Sequence, residues 1–418
     1  MTEHSKNRPR PQNMREAAKT IVTTLKANGH EALFAGGCVR DMLMGREPSD
    51  YDVATSAPPE AVMSLFPKTQ KVGAAFGVVL VRIGRFSVEV ATFRRDGEYA
   101  DGRHPMAVQF TNDREDAIRR DFTINGLFYD PITEQVIDYV GGKADIEAGL
   151  IRAIGEPARR FKEDHLRLLR AIRFASRLGF QIEPITWKAI VEHAPQIRSI
   201  SAERIREELE AILESPSRSA GFRQLCDSGL ISHLWPGSET ALAHREPIAA
   251  RLSALPERSV FPLAFAVILC SSAPSGIASV CDALRCSNAV RIRVEWLCNN
   301  VSSLNEPERL TLADLKILMQ DAGFNDLLQM HRAALVAERK SLDSYDAIVA
   351  RANAVEPGDV APRPLLTGHD LARLRVPRGP EYSRILNAIY YRQLNGEIRT
   401  AEEALAAARL LTGDSASK

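Results

Sequence analysis

The chain has 418 residues, 45% of them hydrophobic, enough to bury a large core and to form two or more domains. Lys and Arg number 54 against 53 Asp and Glu, a net charge of +1, so no global field draws it to nucleic acid and any RNA must be met by local basic surface. Six dispersed cysteines (Cys38, Cys226, Cys270, Cys281, Cys286 and Cys298) contain no C-x-x-C pair and favour reduced core thiols over disulfides or zinc, and the longest apolar run, Phe261 to Cys270, is too short to span a bilayer.

Residues 1–13, polar and carrying Arg8-Pro9-Arg10-Pro11, lack a hydrophobic signal core and read as a loose tail. Met14 to Asn28 is an amphipathic helix closed by Gly29. Strands are expected at Glu31–Ala35, Asp50–Ala54, Val78–Ile83 and Ser87–Thr92, the last two joined by the turn Gly84-Arg85. After about residue 145 strand signals vanish, and Pro157, Pro184, Pro195, Pro216, Pro236 and Pro256 cut the rest into short helices. The pattern predicts an α+β head over 14–145 and a helical remainder.

The chemistry starts at Ser49-Asp50-Tyr51-Asp52-Val53, fourteen residues after Gly36. Side chains two apart on a strand share a face, so both carboxylates can reach one hard cation, and Mg²⁺ takes oxygen ligands of this kind. The preceding Gly36-Gly37-Cys38-Val39-Arg40-Asp41 reads as a glycine turn into a helix start, whose backbone N–H groups and Arg40 suit a triphosphate. A lone D-x-D usually marks a solvated strand end; in this order with a Gly-Gly turn it points to metal-assisted nucleotidyl transfer.

Arg119-Arg120-Asp121-Phe122-Thr123-Ile124-Asn125 adds two forked donors for phosphate oxygens, with Asp121 and Asn125 suited to ribose hydroxyls. Glu163-Asp164-His165-Leu166-Arg167 falls in a helix expected to run from Phe161 to Leu178, placing Asp164 and Arg167 side by side. A carboxylate that accepts from an exocyclic amino group and a guanidinium that donates to ring acceptors together imitate a base-pairing edge. Arg159, Arg160, Lys162, Arg167, Arg170, Arg173 and Arg177 concentrate positive charge within nineteen positions.

Taken together, these segments resemble the motifs of class II nucleotidyltransferases, the family of bacterial and eukaryotic CCA-adding enzymes and bacterial poly(A) polymerases. Gly36 to Asp41 with Asp50-Tyr51-Asp52 is similar to the first motif, and Arg119 to Leu127 to the second, with Gly126 where the family carries Ala or Ser. Asp138-Tyr139-Val140-Gly141-Gly142 resembles the link from head to neck, and Glu163 to Phe174 the nucleotide-selecting helix. Ala202-Glu203-Arg204-Ile205-Arg206-Glu207-Glu208-Leu209 resembles the helix that supports the neck. The resemblance implies a polymerase-β-like nucleotidyltransferase head with a mixed sheet, then an all-helical neck (146–215) and body and tail (216–418) that grip tRNA.

It further implies a cytoplasmic enzyme that uses CTP and ATP to extend the tRNA 3′ end, with Mg²⁺ on Asp50 and Asp52. Phosphate contacts then fall on Gly36, Gly37 and Arg40, and ribose and phosphate contacts on Arg120, Asp121 and Asn125. The base-reading pair falls on Asp164 and Arg167, with Arg170 and Arg173 beside it. Glu89 matches a strand carboxylate that completes the catalytic cluster in some members. Arg94 to Pro105 resembles the loop used in switching from C to A addition. Leu366-Thr367-Gly368-His369-Asp370-Leu371 with Pro377-Arg378-Gly379-Pro380 is similar to the tRNA-contacting tail; a metal hydrolase built on His369-Asp370 lacks its spaced partners. Poly(A), CC-only and A-only addition are the rival activities.

Overall fold

The computed structural model describes residues 11–71, 77–96, 108–270, 274–376 and 379–413. They divide into two compact units, one formed by Met1–Ser238 with Ala283–Arg285, the other by Glu239–Asp282 with Cys286–Lys418.

The first unit opens with α1 (Met14–Ala27), whose N-cap Asn13 accepts a hydrogen bond from Glu16 N–H. Its Ala17, Ala18, Ile21, Val22 and Leu25 recur at helical spacing and are all buried. The strands that follow are β1 (Ala32–Ala35), β2 (Asp52–Thr55), β3 (Thr69–Lys71), β4 (Val78–Ile83) and β5 (Phe86–Thr92). Next come β6 (Arg94–Asp96), β7 (Val108–Phe110), β8 (Leu127–Asp130) and β9 (Gln135–Asp138). Seven of them form one sheet in the order β3-β4-β5-β2-β1-β8-β9; β6 and β7 make a separate antiparallel ribbon. In the large sheet β2 and β5 run parallel and the other neighbours antiparallel, so it is mixed.

Period-two alternation gives the sheet two buried faces. Phe34, Val53, Val79, Val81, Val88 and Val90 pack with α1 on one side, while Leu33, Ala35, Ala54, Phe93 and Phe128 pack on the other. Between strands lie α2 (Gly37–Leu43), α3 (Pro59–Leu65) and α4 (Asp113–Ile118). After β9 the first unit continues through α5 (Gly142–Ala148), α6 (Pro157–Glu163), α7 (Arg167–Leu178) and α8 (Pro184–His193). It ends with α9 (Ala202–Leu213), α10 (Arg218–Asp227) and α11 (Ile231–Leu234).

Three expectations need correction. The strand expected from Asp50 begins at Asp52, so Asp50 lies just outside the ladder. The part expected to be wholly helical contains a parallel pair of two-residue strands, Leu150–Ile151 and Gln181–Ile182. The single helix expected over Phe161 to Leu178 is broken: Asp164 is extended (φ −145°, ψ 106°), which separates α6 from α7.

The second unit is helical, with the apolar run forming the buried helix Phe261–Leu269 and a further core around Leu366, Leu371, Ile385 and Ile389. Asp370 closes a capping box by accepting from Thr367 N–H and its hydroxyl, at 3.0 and 2.6 Å. All six cysteines are free thiols. Among the described residues no helix is long and apolar enough to cross a membrane.

Candidate active site

A cavity of about 560 Å³ opens in the first unit. The turn from β1 into α2 contributes Gly36, Gly37 and Arg40, and the approach to β2 contributes Asp50 and Asp52. The stretch after α4 adds Arg120, Asp121 and Asn125, while the α6–α7 break and α7 add Asp164, Arg167, Arg170 and Arg173. Glu89, expected in the catalytic cluster, is absent from its wall, as are Arg159, Arg160 and Lys162, while Asp41, Ser49, Arg119, Phe174 and Arg177 also line it.

Glu89 acts on the site from alongside. Val53 pairs with Val90 in the parallel β2–β5 ladder, so the preceding residues, Asp52 and Glu89, emerge together on the face opposite those valines. Asp52 is open to solvent within the concavity, yet the protein massed around it raises its carboxyl to about 6. The charges of Asp50 and then Glu89 push it the same way, against Arg120. A carboxylate crowded like Asp52 until it resists ionisation fits a hard cation, which would relieve the repulsion. Among the described residues no group of three or more His, Cys, Asp and Glu is arranged to hold a metal, so Asp50 and Asp52 stand as a pair. The nearby Cys38 is no nucleophile: burial, partly offset by a hydrogen bond at Asp52 and reinforced by that residue's charge, pushes its thiol up to about 12.

Several expected ligand contacts are engaged within the protein. Arg40, almost fully buried, donates from Nε and Nη2 to Asp41 Oδ1 (2.9 and 2.7 Å) and from Nη1 to Asn125 Oδ1 (2.7 Å). Asn125 Nδ2 donates to Asp121 Oδ1 at 3.2 Å, an oxygen that also accepts from Phe122 N–H at 2.8 Å. Arg170 donates from Nε and Nη2 to Asp121 Oδ2 at 2.8 and 2.6 Å. Asp121, expected to take ribose hydroxyls, thus also anchors Arg170 and Asn125 within the protein. Burial works against the charge, but Arg170 and then Arg167 outweigh it and hold the Asp121 carboxyl down at about 2.

The arrangement continues into α7 and α9. Arg173 Nε lies 3.2 Å from Glu208 Oε2, and Arg170 Nη1 lies 3.9 Å from Glu208 Oε1. Arg40, Arg170 and Arg173 also surround the Phe174 ring, 5.5, 5.3 and 4.7 Å from its centroid, within cation–π range. Phe174 in turn meets Phe122 edge-on at 5.8 Å.

Asp164 and Arg167 both line the cavity without pairing as neighbours on one helix. Asp164 Oδ2 accepts from Arg204 Nη2 of α9 at 3.1 Å, and Oδ1 accepts from Leu166 N–H at 3.0 Å, which fixes the break. Arg167 donates from Nη1 to Glu163 Oε2 and to Arg160 O (2.8 and 2.9 Å), and from Nη2 to Arg119 O (3.3 Å). Sequence reasoning passed over Asp116 and named Glu208 and Phe174 only as members of their motifs. The i,i+3 and i,i+4 spacing of Asp116 to Arg119 and Arg120 was the available signal for the first.

Close approach restricts Gly36 and Gly126 in the motifs that line the site. Gly36 has φ +74°, and a Cβ there would meet Arg120 Nη1 at 2.9 Å. Gly36→Ala is therefore expected to raise the nucleotide KM and to cost about 1 kcal/mol of stability through the left-handed backbone, read from steady-state kinetics and thermal melting. Unchanged KM would mean that Arg120 yields freely. At Gly126 an added Cβ would lie 2.7 Å from Val140 Cγ2 and 3.1 Å from Ile154 Cδ1, so those side chains occupy the space a larger residue would need.

A mixed sheet carrying two acidic residues on one edge of an arginine-walled cavity, with a helical continuation, defines a polymerase-β-like nucleotidyltransferase. The profile of the Poly A polymerase head domain matches residues 32–152, and that described as a probable RNA and SrmB- binding site of polymerase A matches 179–242. The CCA-adding enzyme of Geobacillus thermodenitrificans (strain NG80-2) is 35% identical over 407 residues, 93% of this chain and 95% of that one. The chain belongs to the CCA-adding enzyme family. The Geobacillus stearothermophilus member is 44% identical over 223 residues, 53% of this chain and 55% of its own. The crystal structure of the Bacillus stearothermophilus CCA-adding enzyme in complex with CTP superposes with a TM-score of 0.75 at 29% identity, covering 97% of this chain and 99% of that one. A Thermotoga maritima CCA-adding enzyme complexed with tRNA, at 22% identity and a TM-score of 0.68, shares the fold.

Proposed function

We propose that this protein adds C and A nucleotides from CTP and ATP to the 3′ end of tRNA without a nucleic-acid template, releasing pyrophosphate. The observation that carries the reading is the cavity in which Asp50 and Asp52 share one wall with Arg120, Asp164, Arg167 and Arg170. The full-length likeness to a CCA-adding enzyme supports tRNA as the acceptor.

In this reading Asp50 and Asp52 hold Mg²⁺, which binds through one or two carboxylates and completes its shell with substrate phosphates and water. When bound, the metal supplies activation of the 3′-hydroxyl and neutralisation of charge on the leaving group. Glu89 keeps Asp52 in a strongly anionic setting. Gly36 and Gly37 let the phosphates approach the backbone, with Arg120 beside them. Arg40, Asn125 and Asp121 hold that wall in register, while Arg170 and Arg173 extend it along α7. Asp164 and Arg167 read the base edge. Attack of the hydroxyl on the α-phosphorus proceeds with no covalent enzyme intermediate, because positioning and electrostatics carry phosphoryl chemistry.

The head spans 14–145, the neck 146–215 and the tRNA-gripping body and tail 216–418; of the tail expected over 1–13, residues 1–10 lie outside the described residues. Of the segment expected to switch from C to A addition, Arg94 to Pro105, the structure describes Arg94–Asp96; the rest lies outside the described residues. A tRNA-processing role and free thiols support a cytoplasmic location.

The test is incubation of purified protein with tRNA lacking its three 3′ nucleotides, Mg²⁺ and CTP, ATP or both, with products sized on a gel. Two additions are expected with CTP alone and three, ending in A, with both. Long adenylate tails on any RNA given ATP alone would assign a poly(A) polymerase instead.

A further inference from the structure

Asp116 lies in α4, 2% exposed, among partners that all belong to one functional group of residues. Its Oδ1 accepts from Arg119 Nε at 2.9 Å and lies 2.7 Å from Arg119 Nη2. Its Oδ2 accepts from Arg120 Nε and Nη2 at 3.2 and 3.0 Å. One carboxylate thus grips two adjacent guanidiniums side-on, which fixes the plane of each fork. Burial resists the charge, but Arg120 and Arg119 hold the carboxyl below its ordinary range, so it stays ionised at neutral pH. Arg120 is further defined by a bond from Nη1 to Asn125 O at 3.2 Å and by the Phe128 ring, 5.0 Å from its guanidinium carbon.

A third partner gives Asp116 its particular interest. Oδ1 also accepts from Arg94 N–H at 3.2 Å, and Arg119 Nε donates to Arg94 O at 3.1 Å. Arg94 opens β6, which pairs with β7 at Arg94↔Phe110 and Arg95↔Gln109. The same root is fastened to the strand that Asp52 begins, because Phe93 N–H donates to Thr55 O at 2.7 Å. The ribbon root and the two cavity arginines therefore share a single buried anion.

We infer that Asp116 is a positioning residue for the nucleotide triphosphate: it orients Arg119 and Arg120 towards the phosphates and couples them to the root of the β6–β7 ribbon. The inference rests on reading the cavity as the CTP and ATP site.

D116N keeps the shape but turns an amide towards two guanidiniums; D116E keeps the charge at a different reach. Both are to be assayed for KM and kcat with CTP and ATP, for inhibition by inorganic tripolyphosphate and by cytidine, and for folding by circular dichroism. In D116N the KM for both nucleotides is expected to rise about tenfold or more, the scale of one charge-assisted hydrogen bond. Tripolyphosphate inhibition should weaken in parallel while cytidine inhibition stays unchanged, and D116E should recover part of the loss. Unchanged KM and tripolyphosphate inhibition, with only kcat or folded yield reduced, overturns the inference, as does loss of the fold in both variants. Calorimetric titration of wild type and D116N with tripolyphosphate separates this result from the identity of the substrate. Weaker binding in D116N supports the positioning role even if tRNA is not extended, and equal binding overturns it even if tRNA is.

Discussion

Asp52→Ala, and equally Asp50→Ala, is expected to reduce nucleotide addition at least about a thousandfold, a barrier increase of about 4 kcal/mol, while tRNA affinity stays near that of wild type. The effect is large because Asp50 and Asp52 line the cavity together while Glu89 lies outside its wall, so neither carboxylate has a substitute there. Stability should move the other way or not at all. The Asp52 carboxyl is repelled by Asp50 and Glu89, so its removal relieves strain in the metal-free protein. Single-turnover incorporation, a filter-binding assay and a melting curve on each variant give the three readouts. Activity within about tenfold of wild type would remove both residues from the catalytic centre.

The second large effect concerns base choice at Asp164 and Arg167. Cytosine and adenine both present an amino donor next to a ring-nitrogen acceptor, which a carboxylate and a guanidinium meet together. Uracil and guanine present a carbonyl beside an N–H there, so both contacts fail at once. Each failure costs roughly 1–3 kcal/mol, which together give about a hundredfold discrimination or more. Asp164→Ala and Arg167→Ala are expected to relax selection against UTP and GTP by that order and to slow correct addition. Arg204→Ala should reproduce a milder form of the Asp164 defect, because Arg204 Nη2 holds Asp164 Oδ2. Incorporation of all four nucleotides into a tRNA primer decides the matter; unchanged selectivity in both cavity variants would place base reading elsewhere.

What was legible in the sequence followed local rules. The α1 stripe and the β4–β5 hairpin came through because their periodicities are long enough to average over exceptions. The site residues placed by resemblance to the family's motifs, Glu89 apart, line one cavity, because the order of those motifs along the chain carries information that periodicity does not. The break at Asp164 was hidden for the opposite reason: Glu163-Asp164-His165-Leu166 contains neither Pro nor Gly, and the interruption is fixed by Arg204, forty residues away in sequence. The β8–β9 hairpin, Leu127–Asp130 with Gln135–Asp138, was not read from the sequence. Asp121 and Arg40 were seen as site residues, but the bonds from Arg170 to Asp121 and from Arg40 to Asn125 arise only when separate segments meet.

The Phe174 ring, with three guanidiniums gathered around it, bears on when conformational freedom is lost. A free arginine side chain carries about 2 kcal/mol of rotamer entropy, so ordering three of them costs about 6 kcal/mol. In this protein Arg40, Arg170 and Arg173 are arrested by the ring and by Asp41, Asp121 and Glu208 as the chain folds. The cost falls once, at folding, and is not repeated at each nucleotide binding event. A triphosphate bound in this cavity, as proposed, would meet arginines that have already surrendered their freedom.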